Sequence, residues 1–336
     1  MESKLVLVIM DGVGYDTAVA QCGFLEGMVG TGRARRWRMR AALPTISAAL
    51  YETLHTGLPP TTHGIVGNEA LRPTRHPNIF GAVRSNGGRT AAVAHSYFFT
   101  LYNGRPYDVL ADVEVDDETQ TIQHARFYSM EGYGRQNACA SAEIDLCAQI
   151  TGLIRRHNPH YALLHTCSAD TLGHTFGGAS AEYRQQAWRI DNALSRTLPL
   201  WLDAGYQVFV TADHGMNADG HHGGTEPMVR NVPFYYFGSA EGPEPDAELD
   251  QLSGAPSALA LIGAPVPEGM SAPVLFRQAW SSGGIAAEPE NGLPDLPAPQ
   301  RSATDVGSAR WARYASASRS DPCCPAWGVF KSRKHR

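Results

Sequence analysis

The chain has 336 residues, 43% of them hydrophobic and 18% charged, and a formal net charge of −5. That length suits one large α/β domain or two modest ones with a real core. The mild acidity excludes a general attraction to nucleic acid or to an anionic membrane, and no stretch approaches the ~20 apolar residues that span a bilayer.

The first expected element is the apolar run LVLVIM, Leu5 to Met10, which reads as a buried strand and leads directly into Asp11. One lysine before so short a run does not make a signal peptide, so a cytoplasmic protein is expected. Next comes GRARRWRMR, with Arg33, Arg35, Arg36, Arg38 and Arg40. It reads as a solvated loop or strand edge, with attraction of an anionic substrate as the alternative. SAALYETLHTG reads as a helix opening at Ser47 and closing at Gly57, and TAAVAHSY, Thr90 to Tyr97, as a strand.

Residues 98–140 break the rhythm with aromatic and acidic residues that lack a clear period. A small inserted cap is expected there, with a linker or sheet edge as the other reading. The helix SAEIDLCAQITGLIRRH, with Ile144, Cys147, Ile150 and Ile154 on one face, then delivers the chain to the strand YALLHT. A second long helix from Ala181 ends at Gly205 before the strand YQVFVTA, and VPFYYFG, Val232 to Gly238, is the last strand. Repeated βα units predict a mainly parallel central sheet with helices on both faces. Residues 1–280 form that domain. Residues 281–336 are rich in Pro, Gly, Ser and Ala and are expected to be a disordered tail. The six cysteines are scattered with no CxxC pair, so no disulfide framework is expected.

Metal-ligand residue types follow three of the expected strands, where each gives way to a loop: Asp11 after the first, Asp170 and His174 one short loop apart after YALLHT, and Asp213 and His214 after YQVFVTA. In an open α/β sheet, ligands bind outside the carboxyl ends of the strands. Carboxylates and imidazoles brought to one such edge suit two divalent cations, zinc above all and manganese as the other choice. His222 and the Ser47 oxygen complete the set. Two ions about 3.5–4 Å apart can clamp the attacking and leaving oxygens of a displacement at phosphorus. Ser47 at a helix start is a candidate nucleophile, and its alternative reading is a helix N-cap.

The segment LPTISAALYETLHTGLPPTTHGIVGN resembles the nucleophile region of the alkaline phosphatase superfamily, and most of all its type I phosphodiesterase/nucleotide pyrophosphatase branch. Pro44, Thr56, Gly57, Leu58, Pro60, His63, Gly64, Ile65 and Asn68 stand in the register of that pattern, with Ser47 at the catalytic threonine. Ala48 to Tyr51 replace the Phe-Pro-Asn-His of the branch, so the likeness covers the catalytic core and not base recognition. MDGVG, SADTLGH, TADHGM and HHGGTEPMVRNVPFYYFG extend it, and PSALALIGAPVPEGM resembles the closing segment of the superfamily.

The resemblance implies an alkaline-phosphatase-like α/β fold. It places Asp11, Ser47, Asp213 and His214 around one ion and Asp170, His174 and His222 around the other, with His222 preferred to His221. It implies that Asn68, 21 positions after Ser47, donates to a phosphoryl oxygen, whereas His63 packs a turn. The expected activity is hydrolysis of a phosphodiester or pyrophosphate through a metal-bound Ser47 and a phosphoseryl intermediate. The substrate is a small phosphate ester, with nucleotides among the candidates, and neither nucleic acid nor a membrane is a partner. A phosphomonoesterase or phosphonate hydrolase with the same metal core is the alternative. A mutase-type phosphotransferase is disfavoured because 122 residues between Ser47 and Asp170 leave little room for an inserted domain. Intact ligands disfavour an inactive binding module. Oligomeric state is not encoded in any of these motifs.

Overall fold

A computed structural model of the chain describes residues 1, 3–130 and 141–277. The expected tail, 281–336, lies outside the described residues. Strand β1 (Lys4–Met10) opens the chain, followed by α1 (Tyr15–Gln21), α2 (Gly23–Gly30), β2 (Arg35–Arg40), α3 (Ser47–Thr56) and the single turn α4 (Pro60–His63). Then come α5 (Ile79–Ser85), β3 (Thr90–His95), α6 (Ser96–Tyr102) and the short strands β4 (Glu114–Asp116) and β5 (His124–Tyr128). The remainder runs α7 (Glu143–His157), β6 (Tyr161–Thr166), α8 (Ser168–Phe176), α9 (Ala181–Asp203) and β7 (Tyr206–Thr211), then α10 (Pro227–Arg230), β8 (Asn231–Phe237), β9 (Glu248–Asp250) and α11 (Gly254–Ile262).

The strands form one mixed sheet in the order β4-β5-β3-β6-β1-β7-β8-β2-β9. From β5 to β7 every pair is parallel. The antiparallel pairs are β4 with β5, β7 with β8, and β8 with β2. Strand β1 is buried from Leu5 to Met10, as a strand covered on both faces must be. Two groups of helices provide that cover. Helices α1, α2, α7 and α8 pack on α9, while α3 and α5 pack on α11. The sheet is thus mainly parallel with helices on both faces, as an alkaline-phosphatase-like fold requires.

Several local expectations change. The strand expected from Thr90 to Tyr97 stops at His95, where the His95 side chain accepts from the Tyr97 N–H and starts α6. Ile144, expected on the buried face of α7, is exposed, and Leu146 and Leu153 share the core with Cys147, Ile150 and Ile154. The described part of 98–140 supplies most of α6, the edge strand β4 and its neighbour β5. The arginine run is strand β2, between β8 and β9. Its charges are absorbed locally: Arg36 pairs with Glu26, and Arg38 lies 4.6 Å from the Tyr15 ring. Cys22, Cys147 and Cys167 are free and buried.

Candidate metal centre

Strand β1 sits between β6 and β7 with all three parallel, so their carboxyl ends open onto one crevice. Asp11 directly follows β1, and its N–H continues the ladder by donating to the Thr166 carbonyl at 3.0 Å. Gly12 then turns the chain at φ +77°, and a Cβ there would stand 2.8 Å from the Asp170 Cα. Glycine is required on both counts, because L side chains avoid that conformation and the space is taken. Asp213 and His214 follow β7. Asp170 and His174, expected on a loop, lie instead one turn apart on α8, which begins two residues after β6 ends. An i, i+4 spacing on a helix puts both side chains on one face.

Ser47 is the first residue of α3, not its N-cap: Ile46 holds the cap position and no side chain caps this end. The Ser47 hydroxyl is therefore free for chemistry and stands 3.2 Å from His214 Nε2. Asn68 accepts from the Ala48 N–H through Oδ1 at 3.1 Å, which leaves its amide N–H groups to donate beside Ser47. His222 is brought in on the loop after β7, where its Nδ1 donates to the Thr45 carbonyl at 2.7 Å. His221 is exposed. His63 is buried and bonds Thr53 Oγ1 and the Ile65 N–H, a packing role for the turn.

The hydrogen-bond pattern points every donor atom the same way. His174, His214 and His222 each use Nδ1 on a backbone carbonyl, of Gly220, Gly215 and Thr45 respectively. Each therefore presents the lone pair of Nε2 to the crevice. His174 Nε2 and His222 Nε2 are 3.1 Å apart, a contact that two lone pairs oppose unless a positive charge lies near both. His214 stacks on His222 at 3.8 Å. Three buried carboxylate oxygens face the same space without a hydrogen-bond partner: Asp11 Oδ1, Asp170 Oδ1 and Asp213 Oδ2. They approach the imidazoles at 3.2 Å (Asp213 to His214), 3.5 Å (Asp170 to His174) and 3.7 Å (Asp11 to His214, Asp170 to His222).

Buried, uncompensated charges are costly, and the titration of the group reflects this. Burial, aided by the charge of Asp170, drives Asp11 well above the usual carboxylate range. Burial and Asp11 do the same to Asp213. Asp170 is pushed up to about 8 by burial and by Asp213. Burial holds His214 well below its ordinary value and His222 down to about 4. Among the described residues no lysine or arginine pairs with these three aspartates. Asp11, Asp213 and His214 form one set of donors able to hold a cation, and Asp170, His214 and His222 another, with His214 within reach of both. Divalent cations fit this oxygen and nitrogen set.

Residues that sequence reasoning passed over support Asp11 from behind. Tyr51, one turn along α3 from Ser47, donates to Asp11 Oδ2. His165 Nε2 lies 3.2 Å from the same oxygen, and Tyr128 OH lies 2.7 Å from His165 Nδ1. This satisfies Oδ2 and leaves Oδ1 facing the crevice. The available signal was a histidine at the end of the otherwise apolar strand YALLHT. A cavity of about 180 Å³ opens over the centre, lined by Asp11, Ser47, Asn68, Asp170 and His174 and walled by Tyr97 and Met130.

A profile of the type I phosphodiesterase/nucleotide pyrophosphatase family matches residues 5–223. The chain belongs to that family, within the alkaline phosphatase superfamily. Murine ectonucleotide pyrophosphatase/phosphodiesterase 5 has a similar structure, at 13% identity and a TM-score of 0.58, over 79% of this chain and 96% of the murine one. A phosphonate monoester hydrolase from Silicibacter pomeroyi aligns at 14% identity and a TM-score of 0.53, over 84% of this chain and 78% of the other. A 2,3-bisphosphoglycerate-independent phosphoglycerate mutase from Vibrio parahaemolyticus is 27% identical over 71% of this chain and 45% of its own length. The catalytic subunit of human GPI ethanolamine phosphate transferase 3 is 23% identical over 86% of this chain and 27% of its own length. The chain thus spans less than half the length of these curated relatives. Among the described residues no helix is long and apolar enough to cross a membrane.

Proposed function

We propose that the chain is a metal-dependent hydrolase of phosphodiester or pyrophosphate bonds, with Ser47 as nucleophile. The observation that carries this reading is the convergence of three lone-pair-bearing Nε2 atoms and three unpartnered carboxylate oxygens beside a serine hydroxyl. Asp11, Asp213 and His214 would hold one cation next to Ser47, and Asp170, His174 and His222 the second. Two bound divalent cations, Zn²⁺ or Mn²⁺ by the donor chemistry, supply Lewis-acid charge to the phosphoryl oxygens. Ser47 Oγ attacks phosphorus and expels the leaving alcohol or phosphate, giving a phosphoseryl intermediate that water then cleaves. Asn68, fixed by its bond to the Ala48 N–H, donates to the phosphoryl oxygen as charge grows there. Tyr51 and His165 hold Asp11 in its ligating orientation.

The family membership favours a diester or pyrophosphate, and the murine neighbour has a structure in complex with AMP. A nucleotide-type substrate in a cytoplasmic setting is the corresponding proposal. The fold shared with a phosphonate monoester hydrolase supports the second reading, a monoester or phosphonate substrate at the same centre. Hydrolysis of bis(p-nitrophenyl) phosphate against p-nitrophenyl phosphate, with zinc and with manganese, separates them. The diester is expected to be preferred, and Ser47→Ala to lose at least about 10³-fold in kcat. A monoester preference would favour the second reading, and activity retained in Ser47→Ala would overturn the covalent step.

A further inference from the structure

Strand β3 is apolar between Thr90 and its last residue, His95. A histidine at the carboxyl end of a strand in such a sheet falls on the edge where ligands bind. Strand β3 pairs in parallel with β6, so His95 stands one strand outward from the strand that leads to Asp170 and His174. Its ring lines the same cavity as Ser47 and Asn68, although it belongs to neither set of cation donors there.

The two ring nitrogens have different surroundings. Nδ1 accepts from the Tyr97 N–H at 3.2 Å and so caps α6. Burial, with His165 nearby, holds the ring down to about 3, which leaves it neutral at ordinary pH. A neutral imidazole that accepts at Nδ1 carries its proton on Nε2. The Nε2–H is thus a donor, and it meets no acceptor among the described residues. The ring is also fixed in direction. Tyr97 stands edge-on at 4.3 Å and 89°, and Tyr128 at 5.7 Å and 81°. Capping alone does not call for an imidazole, since Asn, Asp and Ser cap a helix better. What it leaves unexplained is the second nitrogen.

We propose that His95 is a substrate-binding residue of the Ser47 centre, donating from Nε2 to an oxygen of the phosphate ester on the β3 side of the cavity. This rests on the reading of the centre as a metal-dependent phosphoesterase. Asn68 and His95 are then two neutral donors that reach the phosphoryl group from separate elements. Neutrality suits the place, because a lysine or arginine there would repel the cations that the carboxylates and imidazoles hold. A donor already held in direction costs no reorganisation as charge grows on the oxygen.

Two replacements separate this role from the cap. His95→Asn sets an oxygen where Nδ1 stood and keeps the cap, but its amide is too short to reach the position of Nε2. His95→Gln carries an amide N–H to about that position and gives up the cap. With metal-loaded full chain and bis(p-nitrophenyl) phosphate, His95→Asn should lose about 10–100-fold in kcat/KM, the worth of a hydrogen bond to a charged group. Its bound metal and Tm should match the wild type. His95→Gln should recover most of that loss despite a lower Tm. Wild-type kcat/KM in His95→Asn would overturn the proposal, as would loss of metal in both variants. ¹⁵N NMR of the histidine rings gives a readout that needs no turnover. The His95 proton should sit on Nε2 and shift when inorganic phosphate is added to the metal-loaded protein. A proton on Nδ1, or no shift with phosphate bound, would equally overturn it. A wild type inactive on every ester counts against the reading of the centre, and the phosphate shift then decides for or against His95 by itself.

Discussion

Two groups of histidines and carboxylates differ in what surrounds them. At the carboxyl ends of β6, β1 and β7, Asp11, Asp170 and Asp213 have no lysine or arginine paired to them among the described residues, and all three are pushed up the pH scale. At the β4–β5 edge, Asp116 is half-exposed. Partial burial works against its charge, but Arg126 and His124 outweigh it and hold the carboxyl below the usual range. The same residue types thus differ in electrostatic need. The central group requires an added cation before its carboxylates can ionise together, whereas the edge group is already partly neutralised.

Removing metal gives the largest effect. Chelation should abolish turnover, and the sign of the pH dependence follows from Asp170. Its folded-state value, about 8, lies above the ~3.9 of an unfolded chain. In metal-free protein the stability tied to its protonated form is complete below about 4 and is lost as pH rises to about 8. Buried imidazoles such as His222, at about 4, act the other way but only below about 6.5. Between pH 6.5 and 8, metal-free protein should thus lose stability while loaded protein does not, and the difference in Tm should widen with pH. A constant difference would contradict ligation by these aspartates.

Asn68→Ala comes next. Removing one donor to a developing oxyanion costs about 10²–10³-fold in kcat, and here KM and bound metal should stay near their wild-type values. A loss of metal with the rate would instead make Asn68 a structural support for the start of α3. The smallest effect concerns Glu52, buried in α3 with Oε2 unpartnered and lifted to about 7 by burial. Being raised, it stabilises fully below about pH 4.5 and loses that contribution as pH climbs to 7. Glu52→Gln should raise stability at pH 8 by up to ~3 kcal/mol, from 1.36 kcal/mol per pH unit, and little at pH 5. Urea melts at the two values check it.

Much of the centre was legible in the sequence because the sheet places strand ends side by side, and a carboxylate or histidine after an apolar run marks such an end. Asp11, Asp213 and His214 are of this kind. Asp170 and His174 were visible from spacing, although that spacing belongs to a helix and not a loop. Tyr51 and Tyr128 were not visible, and His165 showed only as a histidine near the end of a buried strand, because their roles depend on contacts between α3, β6 and β5 that no local pattern encodes. Strands β4 and β5 escaped for a simpler reason: three and five residues are too few to show a period of two. The pairing of β2 with β8 joins segments about 190 residues apart along the chain, and only the folded sheet reveals it.

The most direct measurement is to mix metal-loaded enzyme with a phosphodiester, quench in acid within one turnover, and locate any covalent phosphorus by peptide mass spectrometry. A phosphoryl adduct on Ser47, absent in metal-free protein, is the predicted result. Turnover of the same substrate with no adduct on Ser47, or with the adduct on another side chain, would contradict the account.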